Sequence, residues 1–472
     1  MIRHIIKFEL LKLSKGVFLP IVGGILLVLT LYATYNGIRR VDSQVSVIEK
    51  VKSEEQEFYS TKLILLDSIE KGLRPAPTWY LDPSHPLSAG FFRGAGSYGI
   101  LHPTSLAIVS SGQSDIFPFF GKVALSLDEA RRGNANLDNP VNIATGTFDL
   151  AFVLVFLLPL LIIVFSYNTL SAEREQGTFP LLASMPLNIN QWLMTVLSLR
   201  FLLFICFTWL VLTVSFLLFG IPFSSRWLIL FLLVTLYALF WFSLAYWVNT
   251  LKKSSSVNAL VLISFWIGFV FLLPNVANML AGYLYPVPSR IGYINAKREA
   301  KNEAEKISVD LVNQFYSHHP EMPQQTEGAD EAYKKQWRSI LIEAEYADSL
   351  VNIVESDFTA QLERQEKLAS TFVYFSPSLI FQSALNDLSG TDANTYKMFL
   401  ADLSTFAGEW AGYFKTKFLM NEQLTVADYH QLPAFTSTSI ETNYTRYFLL
   451  LSGYAFLFIA LALVSKDQMG RQ

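Results

Sequence analysis

LAFVLVFLLPLLIIVFSYNTL (residues 150–170) runs directly into SAEREQGTFPLLASMP (residues 171–186), and this junction decides how the chain is read. The first string has no Asp, Glu, Lys or Arg and is long enough to cross a bilayer, which takes about 20 apolar residues in helical form. The second opens on alternating charges, Glu173, Arg174 and Glu175, then turns apolar over a stretch too short to cross. Outward from this junction, five more runs free of acids and bases lie at 17–36, 201–222, 227–248, 257–285 and 447–464. The run at 257–285 is interrupted by Pro274, Asn275 and Asn278, so it is expected to tilt, or to unwind and partly re-enter near Pro274. The first run follows Lys7, Lys12 and Lys15, as a signal peptide would. Its apolar stretch exceeds the usual core of about 7–15 residues and no small-residue cleavage site follows, so it is read as a span.

The composition agrees. Of 472 residues, 52% are hydrophobic and 16% charged, where soluble chains carry about a quarter charged residues; mean hydropathy is +0.34. A net charge of −3 and a pI of about 6.1 leave no basic face for nucleic acid. The single cysteine, Cys206, excludes intrachain disulfides and thiolate zinc sites. His4, His85, His102, His318, His319 and His430 show no ligand spacing, so no metal site is assigned.

Orientation follows from Lys and Arg in short flanks. Arg3, Lys7, Lys12 and Lys15 precede the first run, Arg174 follows the second, Lys252 and Lys253 separate the fourth and fifth, and Lys466 and Arg471 follow the sixth. With six spans these groups share one side, the cytoplasm, together with both termini. Arg226, Arg39 and Arg40 fall on the other side, the last two at the start of a long segment where the bias is weak. The expected fold is therefore an all-α polytopic membrane protein: six transmembrane helices with two large, mainly helical extracytoplasmic segments. In order, these are a cytoplasmic amphipathic helix (1–16), a span (17–36), an extracytoplasmic part (37–149), a span (150–170), a cytoplasmic coupling region (171–200), spans at 201–222, 227–248 and 257–285, a second extracytoplasmic part (286–446), a last span (447–464) and a cytoplasmic tail (465–472).

In the first outer part, Val45, Ile48, Val51 and Glu55, then Phe58, Leu63, Leu66 and Ile69, step at helical spacing and predict one long helix to Gly72, continuous with the first span. The Pro/Gly/Ser-rich stretch 75–121 predicts ordered loop with short strand or helix. In the second part, Ile340, Ala344, Ala347, Leu350, Val354, Phe358 and Leu362 form a stripe along 331–368 that reads as the buried face of a helical arm. Ser376 and Pro377 read as the cap and first turn of a helix over 379–388, and 395–418 as another. Ile2, Ile5, Ile6, Leu10 and Leu13 on one side of the N-terminal stretch, with basic groups elsewhere, predict a helix lying in the membrane plane.

The cluster Ser171-Ala172-Glu173-Arg174-Glu175-Gln176-Gly177-Thr178, followed by Phe179 through Pro186, resembles the cytoplasmic element of type-2 ABC exporter permeases, where such a cluster leads into a short coupling helix that ends near a proline. The six-span plan and the basic N-terminal helix match as well. Asp82-Pro83, Gln113-Ser114-Asp115, Gly146-Thr147-Phe148-Asp149, and Ser376-Pro377 through Ala384-Leu385-Asn386-Asp387 resemble a subgroup of these permeases defined by a domain of unknown function. More distantly, the chain is similar to the permease that assists maturation of nitrous oxide reductase. The resemblance implies a bacterial cytoplasmic (inner) membrane subunit that meets a separate ABC ATPase, two copies per complex, through Glu173, Arg174, Glu175, Gly177, Thr178 and Pro186. It also implies a second permease copy, identical or paralogous. The residues by themselves allow two readings of 178–186: an apolar knob received by an ATPase, or an interfacial helix resting in the headgroups.

The spans as bounded hold no acid, base or histidine of the kind that ion-coupled carriers keep inside the membrane, and no Gly-x-x-x-x-Gly-Lys-Ser/Thr loop is present to cradle phosphates. The chain is thus expected to be no enzyme and to bind no cofactor, with ATP and Mg²⁺ on its partner. Export or extraction of a substrate is the primary expectation. The alternative is mechanotransmission, in which the outer segments act on an external partner; a channel or ion-coupled carrier is a further rival. Tyr167, Asn168, Pro274, Asn275 and Asn278 are candidates to line a path along the dimer seam, though the same residues would also serve helix packing and interfacial anchoring.

Overall fold

The computed structural model describes residues 2–16, 18–92, 94–114, 116–124, 148–184, 188–286, 290–320, 331–438 and 442–467. Helix accounts for 77% of the structure, with almost no strand. Among the described residues, six helices are long and apolar enough to cross a membrane; a seventh would arise only if a helix pair bent by 118° were counted as one broken span.

α1 (Ile2–Lys15) is followed by α2 (Phe18–Glu70), a single helix of 53 residues. At 1.5 Å per residue it is about 80 Å long, so its apolar first part spans while its charged second part stands clear of the bundle. The predicted continuity of the first apolar run with the charged helix that follows it is therefore observed. α3 (Pro86–Gly90), β1 (Ser97–Ile100) and β2 (Phe120–Val123) are the short elements of the Pro/Gly-rich stretch, the two strands pairing antiparallel with Tyr98 opposite Lys122. Among the described residues, the long helix of this segment gives way after Glu70 to these short elements, where proline and glycine interrupt helical hydrogen bonding.

α4 (150–166) is capped by Asp149, whose carboxylate accepts the Phe152 N–H, and it contains a π-helical turn at Val153–Leu157. α5 (Ser171–Glu175) and α6 (Phe179–Ser184) form the connection to α7 (Ile189–Leu218), α8 (Ser225–Thr250) and α9 (Ser255–Leu284). Of the two expectations for the fifth run, tilt or unwinding near Pro274, the unwinding is not seen. α9 stays helical through Pro274, and the hydrogen bonding that proline disrupts is absorbed by a π-helical turn just before it, Gly268–Leu272.

α8 is the hub. Tyr237, Phe240 and Trp241 are fully buried, and α8 packs against α4, α7, α9 and the last helix, α16 (Thr445–Asp467). Lipid is as apolar as leucine, so such packing is held by shape and by hydrogen bonds rather than by the hydrophobic effect. The Tyr237 hydroxyl, for instance, donates to the Val155 carbonyl at 3.0 Å.

Between α9 and α16 the chain builds α10 (Arg290–Lys306), α11 (Ser308–His318), α12 (Glu331–Val373), α13 (Pro377–Ser389), α14 (Ala393–Leu419) and α15 (Val426–Tyr429). α10 and α11 pack along α12 as a two-layer arm. The predicted stripe on α12 is not its buried face: none of its seven residues is buried, Ala344, Val354 and Leu362 are exposed, and the buried apolar residues are Leu341, Ile342 and Val351 beside it. An arm two helices thick covers one narrow side of each, so apolar residues beside that seam stay outside. A second core forms where α14 (Phe399, Trp410, Phe414) meets α3 and β2. The segment before α4 and the segment after α9 are therefore one packed unit.

Candidate functional site

The third predicted span begins later in sequence than its helix does in space. α7 starts at Ile189, not Phe201, and so includes Arg200, which is 8% exposed. Its guanidinium binds Oε1 of Glu9 through Nε at 2.8 Å and through a second nitrogen at 2.7 Å. It also donates to the Phe165 carbonyl at 2.8 Å and to Thr169 Oγ1 at 3.1 Å, and lies over the Phe165 ring. A hydropathy run stops at a charge, but a helix does not stop at a charge that is paired. Sequence reasoning missed this cluster, although each partner stands out: Glu9 is the acid between Ile5 and Leu13 on the inner side of α1, and Arg200 interrupts an otherwise apolar string. Ile2 and Leu10 of the predicted apolar side are exposed.

The charges after α4 extend this network. Glu173 accepts from Lys12 Nζ of α1 at 2.9 Å and from Thr178 Oγ1 at 2.5 Å. Arg174 donates to the Lys252 carbonyl and sits 5.9 Å from the Phe179 ring centroid. Glu175 accepts from the Ser255 N–H at 2.7 Å and its hydroxyl at 2.8 Å, adding to the Ser254 cap at the start of α9. Each of the three charges expected to meet a partner protein is thus already tied to α1, to the α8–α9 connection or to α9. Gly177, at φ +75°, makes the turn between α5 and α6; nothing lies within 4 Å of where its Cβ would stand, so the backbone conformation alone calls for glycine. α6 beyond it buries no residue, and Leu181 is 67% exposed. Pro186 lies outside the described residues, as do Asp115, Gly146 and Thr147.

The five path candidates divide between the two ends of the bundle. Tyr167 and Asn168 lie at the α5 end, where the Tyr167 carbonyl accepts from buried Asn258 at 3.2 Å. Pro274 and Asn278 line a cavity of about 590 Å³ at the opposite end, among α9, α12, α13, α14 and α16. Asn275 is outside it, exposed, and donates to the Phe271 carbonyl one turn back at 2.8 Å. The five therefore form no continuous lining within one chain.

The cavity's polar wall includes Asp387, whose Oδ2 accepts the Tyr447 hydroxyl at 2.5 Å with Arg446 3.8 Å away. Burial pushes this carboxyl up to about 6, with Asp392 adding to the effect, against the Tyr447 hydrogen bond and the Arg446 charge. α13 carries Asp387 at its far end and has its near end set in the bundle. Ser376 Oγ donates to the Phe269 carbonyl in the π turn of α9, Ser378 shares a hydrogen bond with Tyr237, and Phe381 stacks on Tyr237 at 4.2 Å. The other end is bound to the outer part before α4: Thr104 donates to the Ser389 carbonyl, Ser110 to Asn386, and the Gln113 N–H to the Thr391 carbonyl.

Residues 290–438, which hold α10–α15, match the family model described as Domain of unknown function (DUF3526). No curated protein and no solved structure matches the chain.

Proposed function

We propose that this chain is the membrane-spanning permease subunit of an ATP-binding-cassette transporter, which exports or extracts a substrate with ATP hydrolysed by a separate subunit. The observation that supports it most is the build of the α5–α6 element. Glu173, Arg174 and Glu175 brace its base to three other segments, Gly177 turns the chain, and α6 presents Leu181 and its neighbours outward without burying any of them. An apolar knob on a braced base transmits force in either direction; an interfacial helix merely at rest would need no such brace. On the orientation given by the basic flanks, this knob faces the cytoplasm and the unit built on α10–α15 lies outside. A second permease copy and two ATPase subunits complete the complex, with the seam near α4 and α9.

The test is co-purification from native membranes, in parallel with Leu181→Glu. The wild-type chain is expected to bring down a stoichiometric ATPase, and the variant to lose it while melting like wild type in detergent. A wild-type chain free of any ATPase refutes the reading. The mechanotransmission alternative is favoured by one observation, the double anchoring of α13 in the bundle and in the outer unit. ATPase activity that responds only to an outer partner protein would select it.

A further inference from the structure

The cavity at the α13 end stands astride two chemistries. One wall comes from the spans and is largely apolar: Pro274 and Ala277 of α9, Leu450 of α16. The other wall is charged and comes from α12–α14 and the start of α16. Just beside it the bundle surface is apolar, with Met279 and Leu449 each 69% exposed. The cavity therefore sits where hydrocarbon gives way to headgroups, and its volume of about 590 Å³ is within the range of roughly 300–1,000 Å³ typical of ligand sites.

Some charges on the polar wall are already used. Lys397 pairs with Glu366, and Asp392 caps α14 by accepting from the N–H groups of Asn394 and Thr395. Glu363 and Lys367, one turn apart on α12, have no ion-pair partner among the described residues, and both are exposed. Arg446 lies over the Tyr447 ring and donates to its hydroxyl, and that hydroxyl donates to Asp387, 3.8 Å from the guanidinium. What remains is one acid and one base without an ion-pair partner, Glu363 and Lys367, beside an acid and a base joined through Tyr447. A purely anionic head would meet Glu363 and Asp387, and a purely cationic one Lys367 and Arg446. Only a head carrying both signs sets opposite charge against each of these groups.

We propose that this cavity binds the head of a zwitterionic amphiphile, a phosphate toward Lys367 and Arg446 and an ammonium toward Glu363 and Asp387, with its apolar chain lying along α9 and α16. As a binding site this needs only that α9 and α16 cross a bilayer. As a substrate class it rests on the transporter reading.

The experiment is a fluorescence-polarisation titration of full-length protein in a non-ionic detergent, with lysophosphatidylethanolamine labelled on its acyl chain. Saturable binding is expected, competed by unlabelled lysophosphatidylethanolamine and at least fivefold less well by lysophosphatidylglycerol or a non-ionic alkyl glycoside. Glu363→Gln with Lys367→Gln, both exposed and so without effect on folding, is expected to weaken binding about tenfold, and Lys52→Gln on the remote part of α2 to leave it unchanged. Equal competition by the non-ionic amphiphile, or unchanged binding in the double variant, overturns the site. Failure of binding in a preparation that retains a co-purified ATPase counts against the site alone. Intact binding by a chain that never associates with an ATPase supports the site and counts against the transporter reading.

Discussion

Removing one partner of the Glu9–Arg200 pair should destabilise the chain far more than removing both. The side chains are 5% and 10% exposed, so solvent screens them little. Breaking a buried pair from one side typically costs about 3–5 kcal/mol, because the remaining charge is stranded, whereas replacing both members by apolar residues of similar volume is often neutral or stabilising. The two single changes are not equivalent. In Glu9→Gln the amide oxygen still accepts from Arg200, which keeps the Phe165 carbonyl and Thr169 Oγ1; the expected loss is about 2 kcal/mol, near the value of a charged hydrogen bond. In Arg200→Met nothing remains beside Glu9 to balance it, and the loss should reach about 3–5 kcal/mol. Glu9→Leu with Arg200→Met should lie within about 1 kcal/mol of wild type. The assay is denaturant-induced unfolding of detergent-solubilised full-length protein, arranged as a double-mutant cycle. Single changes that each cost under about 1 kcal/mol, or costs that simply add, would show that the pair does not fix α1 to the bundle.

Further outcomes follow from the same geometry. Gly177→Ala should cost about 1–2 kcal/mol from backbone conformation alone, since its Cβ would meet nothing, and, on the transporter reading proposed above, should weaken ATPase association measured by pull-down. Asp387, with its pKa raised to about 6, binds a proton more tightly folded than unfolded, so its contribution to stability is full below about pH 4 and is lost as pH rises through 6; Asp387→Asn should flatten that part of a stability–pH profile. Asp428 has the opposite sign. Its burial opposes ionisation, but Lys417 and the Thr425 N–H and hydroxyl hold it down to about 2, so its contribution is present above pH 4 and lost as pH falls through 2. A stability profile of Asp428→Asn that keeps the wild-type acid limb would contradict this. Tyr237→Phe removes the donor to the Val155 carbonyl and the acceptor for the Ser378 hydroxyl and should cost about 1–3 kcal/mol, read as faster hydrogen exchange in α13.

The spans were legible because a bilayer imposes one rule, an unbroken apolar length, and residues 150–170 satisfy it in plain view. The long α2 was legible for a related reason: no proline or glycine pair interrupts the helical stepping from Val45 to Ile69. Caps were legible too, since Ser376 accepts the Leu379 N–H and Pro377 occupies the first turn, as their chemistry requires. Pairings between distant residues were not. Glu9 and Arg200 stand far apart in sequence, and only the packing of α1 against α7 shows them to be one unit. The same holds for α13. Its apolar face was visible, but nothing local says that Phe381 stacks on a tyrosine in the middle of a span rather than in the core of the outer unit. The path candidates were chosen for polarity within apolar runs, a property shared by residues that serve packing, and so they scattered to both ends.

The two π-helical turns explain why α13 is held where it is. A π turn leaves carbonyls poorly served by their own helix, and inside a bilayer no water is available to satisfy them. Here the neighbours supply the donors: Trp266 Nε1 to the Phe156 carbonyl at 3.1 Å, Tyr237 to Val155, and Ser376 to Phe269. α4, α8, α9 and α13 are thereby joined at one level of the bundle by hydrogen bonds that have no substitute in lipid. α4 ends in the braced element that carries the knob, and α13 ends against the outer unit and the cavity. A change in the register of α4 or α9 would have to break these bonds or carry α13 with it. Breaking them strands carbonyls in hydrocarbon, so moving α13 is the lower-cost response, and the helix between bundle and outer unit is the part through which a push at one end would be felt at the other.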